Sequence, residues 1–398
     1  MLAPLKHSRF RLLWLGMSLS YAGDRLQELG QGWLVATLTN SALAVGGIGV
    51  LSSIGMLLMP LGGVIADRVD RRRILILGQW IGAVVTGLMA VLAFADHIAV
   101  WHIYVWALIT GLVWMIIRPA YKVIITQAVP QEEVRPAVSL NSITETSAIV
   151  ATNIGGSALL GWLGLPLAFM FNSISYISAI YCLARLRELS QSAGNMGNGW
   201  QIKRLWLDLW DGMVYLYGNK KLFYPLLLTF IGIVLTGPAT SLLAAIVNRC
   251  GGSLLQLGLL GGSASLGALL GAIFAGAKAE GNTLRTYPVW GLLAAGSVCI
   301  FVASPLSLLG ALGLSGLGFL AFSQAVWNTS RISNLAGQAY QARLQSITSM
   351  AFTLGAPIGA IWGGAAVDRS GLGALLIGSG LLVLVSLGIL IGQRHPSN

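Results

Sequence analysis

The chain of 398 residues is 56% hydrophobic and only 9% charged, with a mean hydropathy of +0.77. Soluble domains carry about 25% charged residues, so this chain has too few polar side chains to cover a surface that faces water. Its net charge of +11 would suggest nucleic-acid binding in a soluble protein. A basic patch needs a solvated face, however, so the composition argues against nucleic-acid binding and predicts a membrane protein.

Apolar runs of about 20 residues, the length that crosses a bilayer core, follow one another along the whole chain. Because lipid satisfies no backbone donor, each span is expected to be a closed helix. The sequence therefore predicts an all-α membrane protein with twelve transmembrane helices. The predicted spans are 10–37, 42–66, 74–95, 99–125, 137–161, 165–185, 222–247, 253–277, 285–303, 306–327, 343–366 and 371–393.

The distribution of Lys and Arg predicts the orientation of these spans. With the N-terminus placed in the cytoplasm, 20 of the 24 Lys and Arg fall in cytoplasmic loops or ends, and only Arg249 and Arg369 face outward. Arg25 and Arg118 lie within spans. Membrane proteins carry their excess of Lys and Arg on the cytoplasmic side. Both termini are therefore expected in the cytoplasm, and the protein in the plasma membrane, which is the inner membrane of a bacterium.

The longest polar stretch divides the chain into three predicted parts. Residues 1–185 form an N-terminal six-helix bundle, residues 186–221 a cytoplasmic linker, and residues 222–398 a C-terminal six-helix bundle. Residues 41–58 align without gaps with residues 253–270, which indicates two pseudo-symmetric halves. Within the linker, apolar residues at helical spacing predict an amphipathic helix on the inner membrane surface, as a connector or as a regulatory element.

The first span carries the clearest functional signal, in the run GDRLQELGQGW. Asp24, Gln27, Glu28 and Gln31 lie at i, i+3, i+4 and i+7 and share one helical face near mid-membrane. An ionisable residue at this depth marks a transport pathway. Asp24, slightly ahead of Glu28, is the expected proton-coupling acid. The alternative is a structural ion pair, either of Asp24 with Arg25 or of Glu28 with an arginine of another helix.

Two further charged residues are predicted within spans. Arg118 would hold an anionic group of the substrate or pair with a carboxylate of the first span, or its side chain extends to the inner surface. Glu145 is a second candidate for proton binding, or one member of a packing pair. The second half offers only neutral polar residues such as Gln324 and Asn328. Proton coupling is therefore expected to depend on the first half.

The loop between the second and third spans gathers charge in the run GVIADRVDRRR, from Gly63 to Arg73. This run resembles the signature of the major facilitator superfamily, G-x-L-A-D-R-x-G-R-[RK]-x, except that Asp70 replaces the second glycine. The runs FRLLWLG, VPQEEVRPAVSLNS and FMFNSISYISAI are similar to the drug:proton antiporter branch, which includes macrolide efflux proteins and the enterobactin exporter. On the fifth span, Ala151 and Thr152 stand where that branch usually carries Gly-Pro.

The resemblance implies two six-helix bundles that export amphipathic molecules or siderophores, driven by protons. It also implies that the charged loop latches the two halves in the outward-open state. Asp67 would then meet the positive end of the helix that begins near Arg343, while the arginines bind inner carboxylates or anionic headgroups, or only set the topology. The predicted gating residues are Gly63, Asp67, Arg68, Arg71, Arg72 and Arg73.

The sequence contains no nucleotide-binding loop, no metal-ligand motif and no nucleophile constellation. We therefore expect a transporter rather than an enzyme, with no metal and no cofactor. The expected partners are a small-molecule substrate, protons and the lipid bilayer, and the chain is expected to be a monomer. Arg25 and Arg118 favour an anionic substrate such as a siderophore. Multidrug or macrolide efflux, uptake, and a non-transporting sensor on the same fold stay open.

Overall fold

A computed structural model describes residues 3–186, 202–277 and 286–392, and every regular element within these ranges is helical. The all-helical fold expected from the sequence is confirmed. The α-helices are α1 (Ser8–Thr39), α2 (Ala42–Leu57), α3 (Met59–Arg68), α4 (Arg71–Phe94), α5 (Val100–Gln127), α6 (Val134–Ala151), α7 (Ser157–Leu163), α8 (Leu165–Arg185), α9 (Ile202–Gly218), α10 (Lys220–Thr236), α11 (Pro238–Ser241), α12 (Leu243–Arg249), α13 (Leu254–Ala277), α14 (Thr286–Ala303), α15 (Leu308–Leu335), α16 (Gln338–Ser370) and α17 (Ala374–Gly392).

Eight helices of the described ranges are long and apolar enough to cross a membrane, and they lie on eight of the twelve predicted spans. These helices are α4, α5, α8, α13, α14, α15, α16 and α17. The pair Trp210–Gly218 and Lys220–Thr236, which is bent by 108°, raises the number to nine if it forms one span. The count of twelve and the cytoplasmic position of both termini therefore stay predictions.

The other four predicted spans coincide with α1 and with three interrupted helices. Helix α3 begins after a break at Leu58, with a proline in its first turn, and α11 begins at Pro238. Proline lacks the N–H that would continue the preceding helix, but it fits the first turn of the next one. The predicted span 137–161 is interrupted by a π turn, Thr152–Gly156.

Contacts between residues divide the chain into two units, which are described separately. Unit 1 consists of Met1–Thr39 and Leu51–Asn198, and unit 2 of Asn40–Val50 and Gly199–Asn398. In unit 1, α8 packs against α1 and α4, and α5 packs against α3 and α4. Phe10, which is 1% exposed, belongs to the apolar core that these helices share.

Unit 2 is organised around close helix pairs. Helix α13 packs along α15, α14 packs against α15 and α17, and α10 packs against α16. A Cβ atom on Gly267 would lie 1.9 Å from the carbonyl oxygen of Ser315, and one on Gly271 would lie 2.2 Å from that of Phe319. Only glycine leaves room for two helix backbones to approach so closely.

The start of α2 belongs to unit 2, where Asp368 of α16 caps it. The Asp368 carboxylate accepts a hydrogen bond from the Ser41 hydroxyl at 2.6 Å. It also accepts hydrogen bonds from the backbone N–H groups of Ala42 and Leu43 at 2.7 and 3.1 Å. The guanidinium of Arg249 pairs with the same carboxylate. A single acid therefore satisfies two of the free donors at the beginning of α2, and the Ser41 hydroxyl accepts from a third, the Ala44 N–H, at 3.1 Å.

Helix α9 occupies the segment for which the sequence predicts an amphipathic helix. It packs on α16 within unit 2: the rings of Tyr215 and Tyr340 stack with 4.2 Å between their centres, and Asp211 lies 3.5 Å from Arg343. Its place on the membrane surface stays a prediction. The preceding polar run, residues 191–199, lies outside the described residues.

Candidate functional site

Asp24 lies in a buried polar cluster between α1 and α8 of unit 1, and the residue is 4% exposed. Its Oδ1 accepts hydrogen bonds from the Tyr176 hydroxyl and from the Asn172 amide, the latter at 3.3 Å. The same amide nitrogen of Asn172 donates to Oε1 of Gln27 at 2.5 Å. One side chain of α8 therefore holds two side chains of α1.

The close packing of α1 on α8 depends on Gly23. A Cβ atom at this position would lie 2.2 Å from Oδ1 of Asn172 and 2.7 Å from Oγ of Ser175. In the structure, that Asn172 oxygen accepts a hydrogen bond from the Ser175 hydroxyl at 3.0 Å, which orients the amide nitrogen toward Asp24. Gly23 thus provides the space in which Asn172 reaches the acid.

The second oxygen of Asp24, Oδ2, is buried and has no hydrogen-bond partner. Among the described residues, no Lys or Arg forms an ion pair with this carboxylate; Arg25 pairs with Glu28. A buried carboxylate without a cation is electrostatically costly. An acid with donors fixed on one oxygen and none on the other is suited to gaining and losing a proton.

The polar residues of α1 separate into two groups. Arg25 and Glu28 form an ion pair at 2.5 Å, with side chains that are 20% and 47% exposed. Gln31 is 1% exposed, and neither of its side-chain amide atoms has a hydrogen-bond partner. Of the four residues expected on one face, the structure buries Asp24, Gln27 and Gln31, whereas Glu28 lies with Arg25.

A cavity of about 340 Å³ lies within unit 1 between α1, α5 and α6. Arg118 and Lys122 of α5 and Glu145 of α6 are its charged lining residues, and Tyr21 and Trp114 are aromatic ones. The structure thus brings the candidates Arg118 and Glu145 to one cavity. No group of three or more His, Cys, Asp or Glu that could hold a metal ion occurs in the described part of the chain.

Glu145 is held in the cavity wall by neutral donors. The Tyr121 hydroxyl donates to Oδ1 of Asn141 at 2.9 Å, and the Asn141 amide donates to Oε1 of Glu145 at 2.9 Å. Since Asn141 and Glu145 are four residues apart on α6, their side chains share one helical face. Asn141 thus links Glu145 to Tyr121, and in the part of the chain that the structure describes no cation pairs with the Glu145 carboxylate.

Tyr21 and Trp114 form an aromatic wall of the cavity. Their rings meet edge to face, with 6.3 Å between centres. The Arg118 guanidinium lies 5.0 Å from the centre of the Trp114 ring, and that of Arg25 lies 4.8 Å from the centre of the Tyr21 ring. Both distances are typical of cation–π contacts. Tyr21 therefore lines the cavity and also contacts Arg25 of the α1 ion pair.

The charged loop begins α4 and contacts the end of α8. The Asp70 carboxylate accepts hydrogen bonds from the backbone N–H groups of Arg72 and Arg73 at 2.9 and 3.4 Å and caps α4. The Arg72 side chain donates to the carbonyls of Leu183 and Ala184, each at 2.8 Å, where a cation complements the helix dipole. Asp70, the departure from the family signature, thus serves as an N-cap.

The remaining gating candidates give less information. Gly63 lies in α3, and a Cβ atom there would meet no other atom within 4 Å. Arg71 is the first residue of α4. The side chains of Asp67 and Arg68 lie outside the described part of the structure, so the latch stays a prediction. Arg343, which begins the expected partner region of Asp67, contacts α9 within unit 2.

The departure from the antiporter signature lies where α6 ends, at Ala151, and the π turn Thr152–Gly156 begins. Thr152 is buried, and a Cβ atom on Gly156 would lie 2.9 Å from Leu26 of α1. Single π turns inside α-helices occur frequently at functional sites. This chain therefore has non-α geometry where the branch carries Gly-Pro.

Sequence reasoning missed the residues that hold the candidate acids, namely Asn172, Tyr176 and Asn141. Asn172 and Tyr176 are polar, stand four residues apart in an apolar run, and so share a helical face. Asn141 stands in the same way four residues before Glu145. This spacing was the available signal, but it does not tell which helix the polar face meets.

The chain matches the family model described as transmembrane secretion effector over residues 1–397. Macrolide efflux protein A of Streptococcus pyogenes is 23% identical over 407 residues, which cover 94% of this chain and 93% of that protein. A solved structure of the nucleoside transporter NupG is similar with a TM-score of 0.73 at 15% identity and covers 98% of this chain and 100% of that one.

A second solved structure has the same fold. It is a bacterial homologue of the iron transporter ferroportin in an inward-facing state, with a TM-score of 0.68 at 16% identity. The likeness covers 96% of this chain and 98% of that one. The resemblance seen in the charged loop is thereby confirmed over nearly the whole length of the chain. The chain belongs to the transmembrane secretion effector family of the major facilitator superfamily and is a membrane transporter of that type.

Proposed function

We propose that this transporter exports an amphipathic small molecule across the plasma membrane by alternating access, as a monomer, and that Asp24 carries the coupling proton. The relation to macrolide efflux protein A supports export. The observation that carries the coupling is the Asp24 carboxylate, which is buried, has fixed donors on one oxygen and has none on the other.

Proton binding at Asp24 has a direct energetic consequence. The protonated acid is neutral and packs between α1 and α8 without an unpaired charge, whereas the ionised acid carries a buried charge that favours a more solvated arrangement. A proton therefore changes the relative energy of two conformations. A differential interaction of this kind is what a ligand needs in order to shift a conformational equilibrium.

The substrate cavity of this proposal is the one lined by Tyr21, Trp114 and Arg118. An aromatic wall with a few polar groups is typical of sites for amphipathic small molecules. Macrolide drugs and siderophores are the two candidate classes of substrate. Uptake and a sensor without transport are the remaining alternatives, and only export moves substrate out of the cytoplasm against its gradient.

The test measures substrate-driven proton movement in proteoliposomes of known orientation, with a pH-sensitive dye trapped inside. Addition of a macrolide or a siderophore to the wild-type protein should produce proton flux. Asp24→Asn should reduce this flux by at least about tenfold, because an amide cannot bind the proton. Exchange of labelled substrate without a proton gradient should persist in Asp24→Asn, which shows that the variant is folded.

The matched control is Asp96→Asn, since Asp96 is an acid in an exposed turn with φ of 53°, a conformation that Asn adopts readily. This control should keep wild-type proton flux. Full flux in Asp24→Asn would contradict the assignment and move the proton site to Glu28 or Glu145. Transport of neither substrate class in either direction would favour the sensor.

A further inference from the structure

The cavity of unit 1 holds more positive than negative charge. Arg118 and Lys122 stand four residues apart on α5 and line it together, and Glu145 lines it from α6. Among the described residues none of these three side chains forms an ion pair: Arg118 contacts the Trp114 ring, and Glu145 accepts a hydrogen bond from a neutral amide. One positive charge therefore remains after Glu145 is counted.

The cations available to a ligand in the structure differ from those that the sequence suggested. Arg25, which the sequence suggested as a contact for an anion, is bound by Glu28 at 2.5 Å. Its charge is neutralised within α1. Arg118 and Lys122 are the cations of the cavity that form no ion pair among the described residues. Arg118 lies within a predicted span, where an unpaired charge is costly, and Lys122 is exposed closer to the end of α5. A ligand that supplies the counter-charge at Arg118 therefore gains affinity.

The aromatic wall of Tyr21 and Trp114 indicates the apolar part of the ligand. The Arg118 guanidinium lies 5.0 Å from the centre of the Trp114 ring. A planar ligand that packs along Trp114 therefore has a substituent at its end close to this cation. A volume of about 340 Å³ is at the lower end of the range for drug-sized ligands, about 300–1,000 Å³. This volume is large enough for a ring system with one acidic group.

We propose that this cavity binds amphipathic organic anions, with the acid group between Arg118 and Lys122 and the ring body against Trp114. The proposal rests on the proposed function in that it takes this cavity as the transport site. The anion is either a free aromatic or polycyclic acid or a lipid with an anionic headgroup, because both carry the same chemistry.

The test compares two probes of the same shape and opposite charge, 1-pyreneacetate and 1-pyrenemethylammonium. Their dissociation constants are measured by titration calorimetry with the full chain in a neutral detergent. The wild-type protein should bind the anion at least about tenfold more tightly than the cation, since a charge-assisted contact contributes enough for one such factor. The double variant Arg118→Gln, Lys122→Gln should lose this preference.

Two measurements keep the result interpretable. Arg11→Gln removes an exposed cation on α1 outside the cavity, and it should keep the full preference for the anion. The double variant should bind the cationic probe at least as tightly as the wild type, because the repulsion from two positive charges is gone; this result shows that the cavity is intact. Equal binding of both probes by the wild type, or an unchanged preference in the double variant, would overturn the proposal.

Competition identifies the source of the anion. Displacement of 1-pyreneacetate by lysophosphatidylglycerol in preference to free aromatic acids indicates a lipid, and the reverse preference indicates a free acid. Failure of both competitors would contradict the proposal. A protein that transports a cationic macrolide but prefers no anion would refute this inference alone, whereas anion preference without any transport would refute the proposed function alone.

Discussion

Asn172 is the residue on which the buried cluster of unit 1 depends. Its amide nitrogen donates to both Asp24 and Gln27, and its oxygen accepts from Ser175. The residue is fully buried, so no water replaces these bonds when the side chain is removed. Each bond joins or orients groups at the contact of α1 with α8, which makes Asn172 a positioning residue for the acid.

Asn172→Ala should lower the free energy of unfolding by about 1–3 kcal/mol, because it removes the donor to the buried Oε1 of Gln27 and leaves Asp24 with the Tyr176 hydroxyl alone. The measurement is unfolding of the detergent-solubilised protein in increasing denaturant. Ser178→Ala is the control, since Ser178 lies on the same helix and its hydroxyl donates only to the carbonyl of Ser175. Equal stability of the two variants would show that Asn172 does not hold the cluster.

The sequence identified Asp24 because a carboxylate in an apolar span is conspicuous at any position. It did not identify Asn172 or Tyr176, because amides and phenols are common in membrane helices and gain meaning only from what they face. Helical spacing predicts which residues share a face, but it does not predict that Glu28 turns to Arg25 rather than to a neighbouring helix. That choice depends on the packing of α1 against α8.

At the scale of helices, two aspartates each cap the N-terminus of a helix. Asp70 caps α4 in unit 1, and Asp368 of α16 caps α2 in unit 2. The Asp70 cap was readable in principle, because an acid directly before a helix is a common N-cap. The Asp368 cap was not, because donor and acceptor lie more than 320 positions apart in the chain.

Asp368→Ala should free the first turn of α2, because it removes the acceptor of the Ala42 and Leu43 amides. Hydrogen exchange at these two amides should become at least about tenfold faster, as expected when a helix loses its cap. Asp70→Ala is the matched control: it should accelerate exchange at Arg72 and leave Ala42 unchanged. Protection of Ala42 that persists in Asp368→Ala would contradict the capping role.

Hydropathy predicted where helices lie better than where they are interrupted. Eight predicted spans coincide with continuous apolar helices, but the breaks within 42–66, 137–161 and 222–247 do not appear in an average over about 20 residues. Two of the breaks precede a helix with proline in its first turn, a signal that was present in the sequence. The π turn at Thr152–Gly156 has no comparable local signal.

At the scale of the whole molecule, the two units differ in the chemistry of their buried polar groups. Unit 1 contains the acid Asp24, whereas the buried polar network of unit 2 centres on Asn328 and adjoins the buried cation Arg331, whose guanidinium lies 5.1 Å from the centre of the Tyr287 ring. The Asn328 side chain accepts from the Tyr287 hydroxyl and donates to the Thr229 hydroxyl, each at 3.0 Å. This network joins α10, α14 and α15 without a titratable carboxylate.

Asn328→Ala should therefore lower stability but keep the number of protons moved per substrate. The loss should be about 1–2 kcal/mol, for two buried hydrogen bonds. The number of protons moved per substrate is measured in proteoliposomes from simultaneous proton and substrate fluxes. Asp24→Asn is the comparison variant, in which this number should fall. A changed ratio in Asn328→Ala would show that unit 2 takes part in coupling.

The glycine contacts between α13 and α15 have a consequence for comparing this chain with its relatives. At Gly267 and Gly271 the facing atom is a backbone oxygen, so the requirement for glycine comes from the helix path and is independent of the cargo. At 23% identity to macrolide efflux protein A, positions of this kind are suitable landmarks for bringing the helices of the two chains into register.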